Sequence, residues 1–593
     1  MRGSSDWRVH MKRMMMAAML LLALLLASCG GTSSLGAADT LTLRVTDGDG
    51  TAEEISCWQN ADGDGFFFLP AYASLNTAEL CSGGERVAKD VLDLSKLTAG
   101  KAVSVTAGGK RMKLTFLTAS QLPAVYITTE SGSLAYIHAN KDNKEPGTIR
   151  VVEPDGSVSY AGDLKQIKGR GNTTWDYEKK PYNIKLEEKV DLFGMGASKN
   201  WCLLANFRDT SYVRNAMVFD YAQEMGVANT TDTQSFDLYI NGEYQGLYQM
   251  TEKIEVGENR LEVPDLEALN EDANPQKDLG DFPVVSVENA KSVVLPVTPD
   301  ERNGFLMELD FPERWAEEVS GFITTDGQHV VMKSPENASA QQVEYAQNLV
   351  QTFEDLLFAG DERYLEYIDL DSWVQLYLIE EIFEDVDCGL SSIYFYIMDG
   401  KLYAGPLWDF DLTMGGSYAV TNPSTLYAAW REKTERYISH WLPELYKQES
   451  FYKRLCEMYG GGWDAALKAL ADRAEGYVSA VADSAAMDAA RWGKDHAVTL
   501  EQGVYLRDYL AAREAFLTDI WTEGTTYHRV RLMGNVYTRY YENAVKDGEL
   551  FDNFPELYKD GQKLVGWFHE GTDEPFDSKR PITEDTFLYA KWK

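Results

Sequence analysis

The chain has 593 residues, enough for several domains. Apolar residues make up 44% of it, with 14 Trp and 33 Tyr, so a disordered chain is not the default expectation. With 56 Lys and Arg against 93 Asp and Glu the net charge is −37, which disfavours nucleic acid and anionic membrane surfaces as partners, because phosphate binding needs a basic footprint.

Arg8, Lys12 and Arg13 precede an unbroken apolar run from Met14 to Ala27. That run is too short for a membrane-crossing helix of about 20 residues and suits a signal-peptide core. It ends on Leu26-Ala27-Ser28-Cys29-Gly30-Gly31, which resembles the bacterial lipobox, whose cysteine becomes the lipidated first residue. Residues 1–29 are therefore expected to be a lipoprotein signal peptide with Cys29 as the lipidation site. The Gly/Ser/Thr/Ala-rich residues 30–40 are expected to be a flexible tether. The protein is expected to be exported to the outer face of the cell membrane or the cell surface, held there by the lipid anchor alone.

Residues 41–119 alternate short apolar stretches with Gly/Asp turns and predict a small β-rich module; Leu41–Val45 and Ala102–Val105 have strand periodicity. Cys57 and Cys81 are candidates for an extracellular disulfide, whereas Cys202, Cys388 and Cys456 read as buried free thiols. Asn60 to Gly65 imitates a calcium loop, but Ala71 stands where the closing Glu belongs, so a hairpin turn is expected. From residue 120 to 525 long strands give way to helices. Helical spacing runs through Asp209–Met225, Gln341–Phe358, Ser372–Asp385, Trp463–Met487 and Leu500–Trp521. Phe236–Ile240 and Tyr244–Met250 around Asn241-Gly242 predict a hairpin. Residues 527–593 change character again, with strands at Leu564–Phe568 and Thr586–Trp592; from Gly561 to Trp592 they resemble the internalin-type B repeat, a small β-grasp-like extracellular module.

The segment that carries chemistry is Asp387 to Asp411. Ile393–Met398 and Lys401–Leu407 read as strands joined by the two-residue turn Asp399-Gly400. Residues equidistant from the turn pair, so Asp387 and Ser392 meet Asp409 and Asp411 at the hairpin's open end. Carboxylates that close raise one another's pKa unless a cation neutralises them, and a divalent magnesium ion, which takes oxygen ligands, fits. A catalytic Asp, a metal-binding polar residue five positions on, and a hairpin leading to a metal-binding Asp is also the local plan of a kinase site.

Other motifs occur in order: Lys168-Gly169-Arg170-Gly171-Asn172-Thr173-Thr174-Trp175, Lys179-Lys180-Pro181 through Lys185-Leu186, Arg214-Asn215, Asp237–Gly242 through Tyr248, Thr251-Glu252-Lys253-Ile254 and Leu407-Trp408-Asp409-Phe410-Asp411-Leu412-Thr413. Together they resemble the spore coat protein H (CotH) kinase family of atypical, secreted or surface protein kinases. The resemblance implies an α+β fold with an atypical protein-kinase-like, two-lobed domain over 120–525, flanked here by small all-β modules. It implies ATP as co-substrate, Mg2+ or Mn2+ as cofactor, and a cell-envelope or secreted protein as acceptor. By the same resemblance Asp387 is the catalytic base; Asp409, with Asp411 as neighbour or alternative, and Ser392 hold the metal; Lys180 or Lys185 contacts the ATP phosphates. Arg170 and Asn172 form a turn facing those phosphates, and Glu252 pairs with one of the lysines. Ser392 departs from the Asn that many members carry, which leaves a second reading open: a catalytically weak or dead surface-binding protein.

Overall fold

The computed structural model describes residues 34–417, 420–433, 440–535 and 540–593. Cys29 and the expected signal peptide lie outside them. Among the described residues no helix is long and apolar enough to cross a membrane. The fold mixes helix and sheet, in agreement with the α+β expectation.

Seven strands close into a barrel: Ala124–Thr129 (β1), Lys144–Val152 (β2), Val158–Gly169 (β3), Tyr182–Asp191 (β4), Ala197–Leu204 (β5), Thr233–Ile240 (β6) and Glu243–Glu252 (β7). Their order is β2-β3-β4-β5-β7-β6-β1. Neighbours run antiparallel except β6 and β1, whose parallel pairing from Asp237↔Ala124 to Ile240↔Ile127 closes the ring. The β6–β7 hairpin turns on Asn241 (φ 52°) and Gly242 (φ 79°), the left-handed pair such a turn requires. Ile127, Ile149, Ile184, Trp201, Leu203 and Met250 fill the interior. Side chains alternate along a strand, so Asn183, Lys185, Cys202 and Thr251 stand on the outside.

Residues before the barrel form two four-stranded sheets. Their core continues into the outward-facing Tyr126, Tyr239 and Tyr244 of the barrel, and Arg150 lies 2.6 Å from Asp47. The Asn60 segment is the expected turn: Asn60 Oδ1 accepts from the N–H groups of Asp62 (3.1 Å) and Asp64 (2.9 Å) between Trp58–Gln59 and Gly65–Leu69. Cys57 and Cys81 are free thiols and not the expected disulfide, because Leu41–Thr46 runs between them: Cys81 lies in Glu79–Ser82 on one side of it, while Cys57 follows Ala52–Ser56 on the other and its N–H donates to the Leu41 carbonyl (3.0 Å). Burial raises both thiols, Cys57 to about 12.

After the barrel, a second seven-stranded sheet contains Val284–Val287 (β8), Ala290–Val293 (β9), Phe305–Leu309 (β10), Gly321–Ile323 (β11), His329–Ser334 (β12), Ile393–Met398 (β13) and Lys401–Ala404 (β14), in the order β8-β9-β11-β12-β10-β13-β14. Helices Arg214–Glu224 (α1), Ala340–Phe358 (α2) and Leu370–Phe383 (α3) share its core with the helical hairpin Asp464–Trp492 (α4) and His496–Trp521 (α5). Ser339 and Gln342 form a capping box that starts α2. α3 is apolar nearly all round and is buried from Trp373 to Phe383 except for Gln375. Tyr527–Met533 and Thr586–Trp592 run parallel at the centre of a four-stranded C-terminal sheet with its own core.

The barrel is bolted to α4 by a buried ion pair. Lys179 Nζ lies 2.5 Å from Asp488 and donates to the Leu247 carbonyl (2.5 Å); Asp488 also accepts from Tyr212 Oη (2.7 Å) and the Leu247 N–H (2.9 Å). Burial lowers the Lys179 pKa to about 8 although Asp488 pulls it up. Removing one partner strands the other charge away from water. Asp488→Ala is therefore expected to cost about 3–5 kcal/mol, read as a lower denaturant midpoint in equilibrium unfolding.

Candidate active site

The site begins where α3 stops. Glu384 caps the helix in a left-handed conformation (φ 51°), and the chain turns through Asp385 to Asp387. The Asp387 N–H donates to Asp385 Oδ1 (3.3 Å), and the Asp385 acid in turn hydrogen-bonds Glu380. Burial and the neighbouring Asp387 charge raise both acids, Glu380 to about 8. Ser392 (φ 63°) then leads into β13. The hairpin β13–β14 has the expected register, from Met398↔Lys401 to Phe395↔Ala404, around Asp399 and Gly400 with positive φ. Its return strand ends three residues early, at Ala404 rather than Leu407.

Beyond β14 the acidic loop is held by the start of α1. Arg214 is fully buried. Its guanidinium pairs with Asp209 (2.5 Å) and donates to the Thr413 carbonyl (2.9 Å) and Gln502 Oε1 (2.9 Å). The Phe410 N–H donates to Asn215 Oδ1 (2.8 Å), and Thr413 Oγ1 donates to the Phe410 carbonyl (2.8 Å). Phe410 itself packs edge-on against Phe219 of α1. The backbone between these anchors is forced into left-handed geometry at Asp409 (φ 71°) and Met414 (φ 46°), conformations that non-glycine residues adopt at a cost.

The side chains on this loop meet the acids and the barrel. Asp409 keeps contact with solvent but is crowded by protein; burial raises its pKa, while the Arg170 charge and a hydrogen bond from Ser392 lower it. Asp411 is raised well above the carboxylate range, first by burial and then by the charges of Asp409, Asp209 and Asp387, against which Arg214 works. Carboxyls that depress one another's ionisation in this way suit a divalent cation with oxygen preference. Among the described residues, however, no three His, Cys, Asp or Glu side chains converge in metal-holding geometry. Across from the loop, the Arg170 guanidinium stacks on Trp408, 5.5 Å from its ring centre.

The remaining candidates divide by their position on the barrel. Lys185 stands on the same outer face as Cys202, whose thiol the Arg170 side chain contacts. Lys180 is turned back on its own loop: its ammonium donates to the Trp175 carbonyl (2.5 Å) and lies over the Trp175 ring. Asn172 is exposed and precedes the short helical turn Thr173–Asp176. Glu252 pairs with Arg260, not with either lysine. The reason is alternation: Glu252 shares its face with the inward Met250, and Arg260 reaches it over the inward Trp201 ring. Burial moves Glu252 up to about 7. It lines a cavity of about 260 Å³ with Gly194, Asp232, Lys253, Arg260 and Pro406, at the exit of β7 and three residues before Asp409.

The sequence motif Arg214-Asn215 was visible, but its work was not. Nothing local to the pair announces that it grips a loop some 195 residues later.

Fold and site together define an α+β protein with a carboxylate-rich site where a barrel rim meets a hairpin backed by a buried helix. The CotH kinase protein family model matches residues 167–517, more than half of the chain, and the chain belongs to that family. No curated protein matches it.

Asn215→Ala leaves the buried Phe410 N–H without its acceptor. We expect a loss of about 1–3 kcal/mol in denaturant unfolding.

Proposed function

We propose that the chain transfers the γ-phosphoryl group of ATP to hydroxyl groups of proteins. One observation carries this reading: Asp387 and Asp409 act electrostatically on the Asp411 carboxyl at a hairpin's open end, and the Arg214–Asn215 clamp fixes the loop that bears Asp409 and Asp411. In the reaction the acceptor oxygen attacks the γ-phosphorus, the bond to the ADP oxygen breaks, and the hydroxyl proton passes to Asp387. Asp409 and Asp411, with Ser392 beside Asp409, would hold Mg2+ or Mn2+. Bound there, the ion supplies charge neutralisation for the phosphates. Arg170 and Lys185 on the outer barrel face supply the fixed positive charge that the transferring group needs. Lys180, tied to Trp175, is the weaker candidate of the two lysines. The cavity between Glu252 and Pro406 is of a size for a nucleobase, so Glu252 would serve the nucleotide through the cavity and not through a lysine. The kinase-like two-lobed architecture belongs to this proposal, with the barrel as one lobe and the helix-backed sheet as the other.

A second reading is a surface-binding protein on a slow or inactive kinase-like domain. Ser392 favours it, because its hydroxyl is short and is spent on Asp409. The full chain decides between them. Asp387→Ala is expected to lose at least about 100-fold in phosphoryl transfer with ATP affinity nearly intact, since proton acceptance acts only in the transition state. Asp409→Ala and Lys185→Met are expected to weaken metal-dependent ATP binding, and Lys180→Met to do so far less. Wild-type protein that binds no ATP with either metal and incorporates no phosphate would sink the kinase reading.

We also propose that the chain is exported and lipid-anchored through Cys29, with a cell-envelope or secreted protein as acceptor. The basic start, the apolar run and the lipobox-like end support the anchor. The C-terminal sheet, with its parallel central pair, supports a B-repeat-like surface module. Cys29→Ala is expected to abolish lipid labelling and to move the protein out of the membrane fraction; labelling equal to wild type refutes the assignment.

A further inference from the structure

The second sheet carries the catalytic hairpin at one end and ends at β8 on the other. All four residues of β8, Val284-Val285-Ser286-Val287, are exposed, so neither face of the strand is covered. Val284 is 48%, Val285 40% and Val287 63% exposed, and Val294 and Val297 extend the patch. The root of the hairpin is nonetheless firm: Val293 is buried with Leu279 and Phe282, and its N–H donates to the Ala338 carbonyl (2.8 Å).

The register shows which backbone groups are open. The Val294 N–H donates to the Pro283 carbonyl (2.9 Å), and β8 pairs with β9 from Val284↔Val293 to Val287↔Ala290. In an antiparallel ladder hydrogen-bonded pairs alternate. Residues 283, 285 and 287 therefore face β9, and the N–H and C=O groups of Val284 and Ser286 face outward. A flat valine-rich edge with open backbone groups is a template for an added strand.

Charge selects what adds. Both lysines of this corner are tied to carbonyls: Lys277 donates to Asp281 O (2.7 Å), and Lys291 donates to Trp315 O (3.0 Å) and Ala316 O (2.7 Å). Asp278, Asp281 and Glu288 remain exposed. A second copy, also at −37, is repelled.

We propose that β8 is a docking edge for the acceptor protein, which adds an extended, basic and apolar segment as an eighth strand; the assignment of that segment to the acceptor rests on the kinase reading above. The added strand lies one spacing beyond β8, so six spacings of about 4.8 Å separate it from β13, and the phosphorylated hydroxyl lies about 29 Å away. At about 3.4 Å per residue that is about eight to nine residues of extended chain from the docked segment.

The test uses the full chain and a fluorescent peptide of alternating lysine and valine. Saturable binding is expected to wild type and to Ser286→Ala. Ser286→Pro, which removes an outward N–H without touching the β9 ladder or the net charge, is expected to weaken binding at least about tenfold. A glutamate–valine peptide is expected not to compete. Equal binding by Ser286→Pro would reduce the effect to charge attraction and overturn the proposal, as would no binding by wild type. A wild-type dimer that Ser286→Pro turns into a monomer would assign the edge to a second copy instead. Peptide binding needs neither ATP nor transfer, so a failed kinase assay leaves this result readable; the same peptide carrying a serine about eight to nine residues away should be phosphorylated by wild type and poorly by Ser286→Pro.

Discussion

Arg214 has no water to solvate it, and everything at the site depends on how that charge is satisfied. Its guanidinium takes the Asp209 carboxylate from the turn before α1, the Thr413 carbonyl from the acidic loop and Gln502 from α5. A buried cation with fewer partners would cost several kcal/mol, so the three segments cannot drift apart independently. The loop between Asp409 and Met414 thereby keeps left-handed residues that its own sequence would not hold. The clamp does not engage the Asp409 carboxylate, which is left to Ser392 and Arg170.

A second buried pair, Lys179 with Asp488, does for the barrel what Arg214 does for the loop. It ties the approach to β4 to α4, and α4 packs back to back with α5, which carries Gln502. The barrel rim and the acidic hairpin are thus referenced to the same helical pair. Arg170 faces Trp408 where the barrel meets the acidic loop, and both are registered on that support.

What the sequence revealed was local. The hairpin around Asp399-Gly400 and the one around Asn241-Gly242 were legible because two residues with positive φ fix turn and register together. The long helices were legible from caps and periodicity, with ends shifted by a few residues. Barrel closure was not legible: it rests on the parallel pair of β6 with β1, more than a hundred residues apart, and both strands read alike in any sheet. The partner of Glu252 was missed for a related reason. A one-residue offset along β7 decides which face a side chain takes, and the sequence does not say which face looks inward until the ring is closed. The disulfide expected of Cys57 and Cys81 assumed that nearness in sequence meant nearness in space, but the strand Leu41–Thr46 runs between the two residues.

The ring of strands has one more consequence. The family match begins at Ile167, near the end of β3, whereas β1 and β2 come earlier in the chain. A fragment cut to the matched region would keep β4 to β7 but lose β1, which seals β6, together with β2 and most of β3 itself. It would be an opened cylinder with the inward Phe236 and Leu238 laid bare beside raw backbone, and such molecules find one another before they find a substrate. The boundary that similarity draws is thus not the boundary that solubility permits, and the shortest workable version of this protein starts upstream of Ala124.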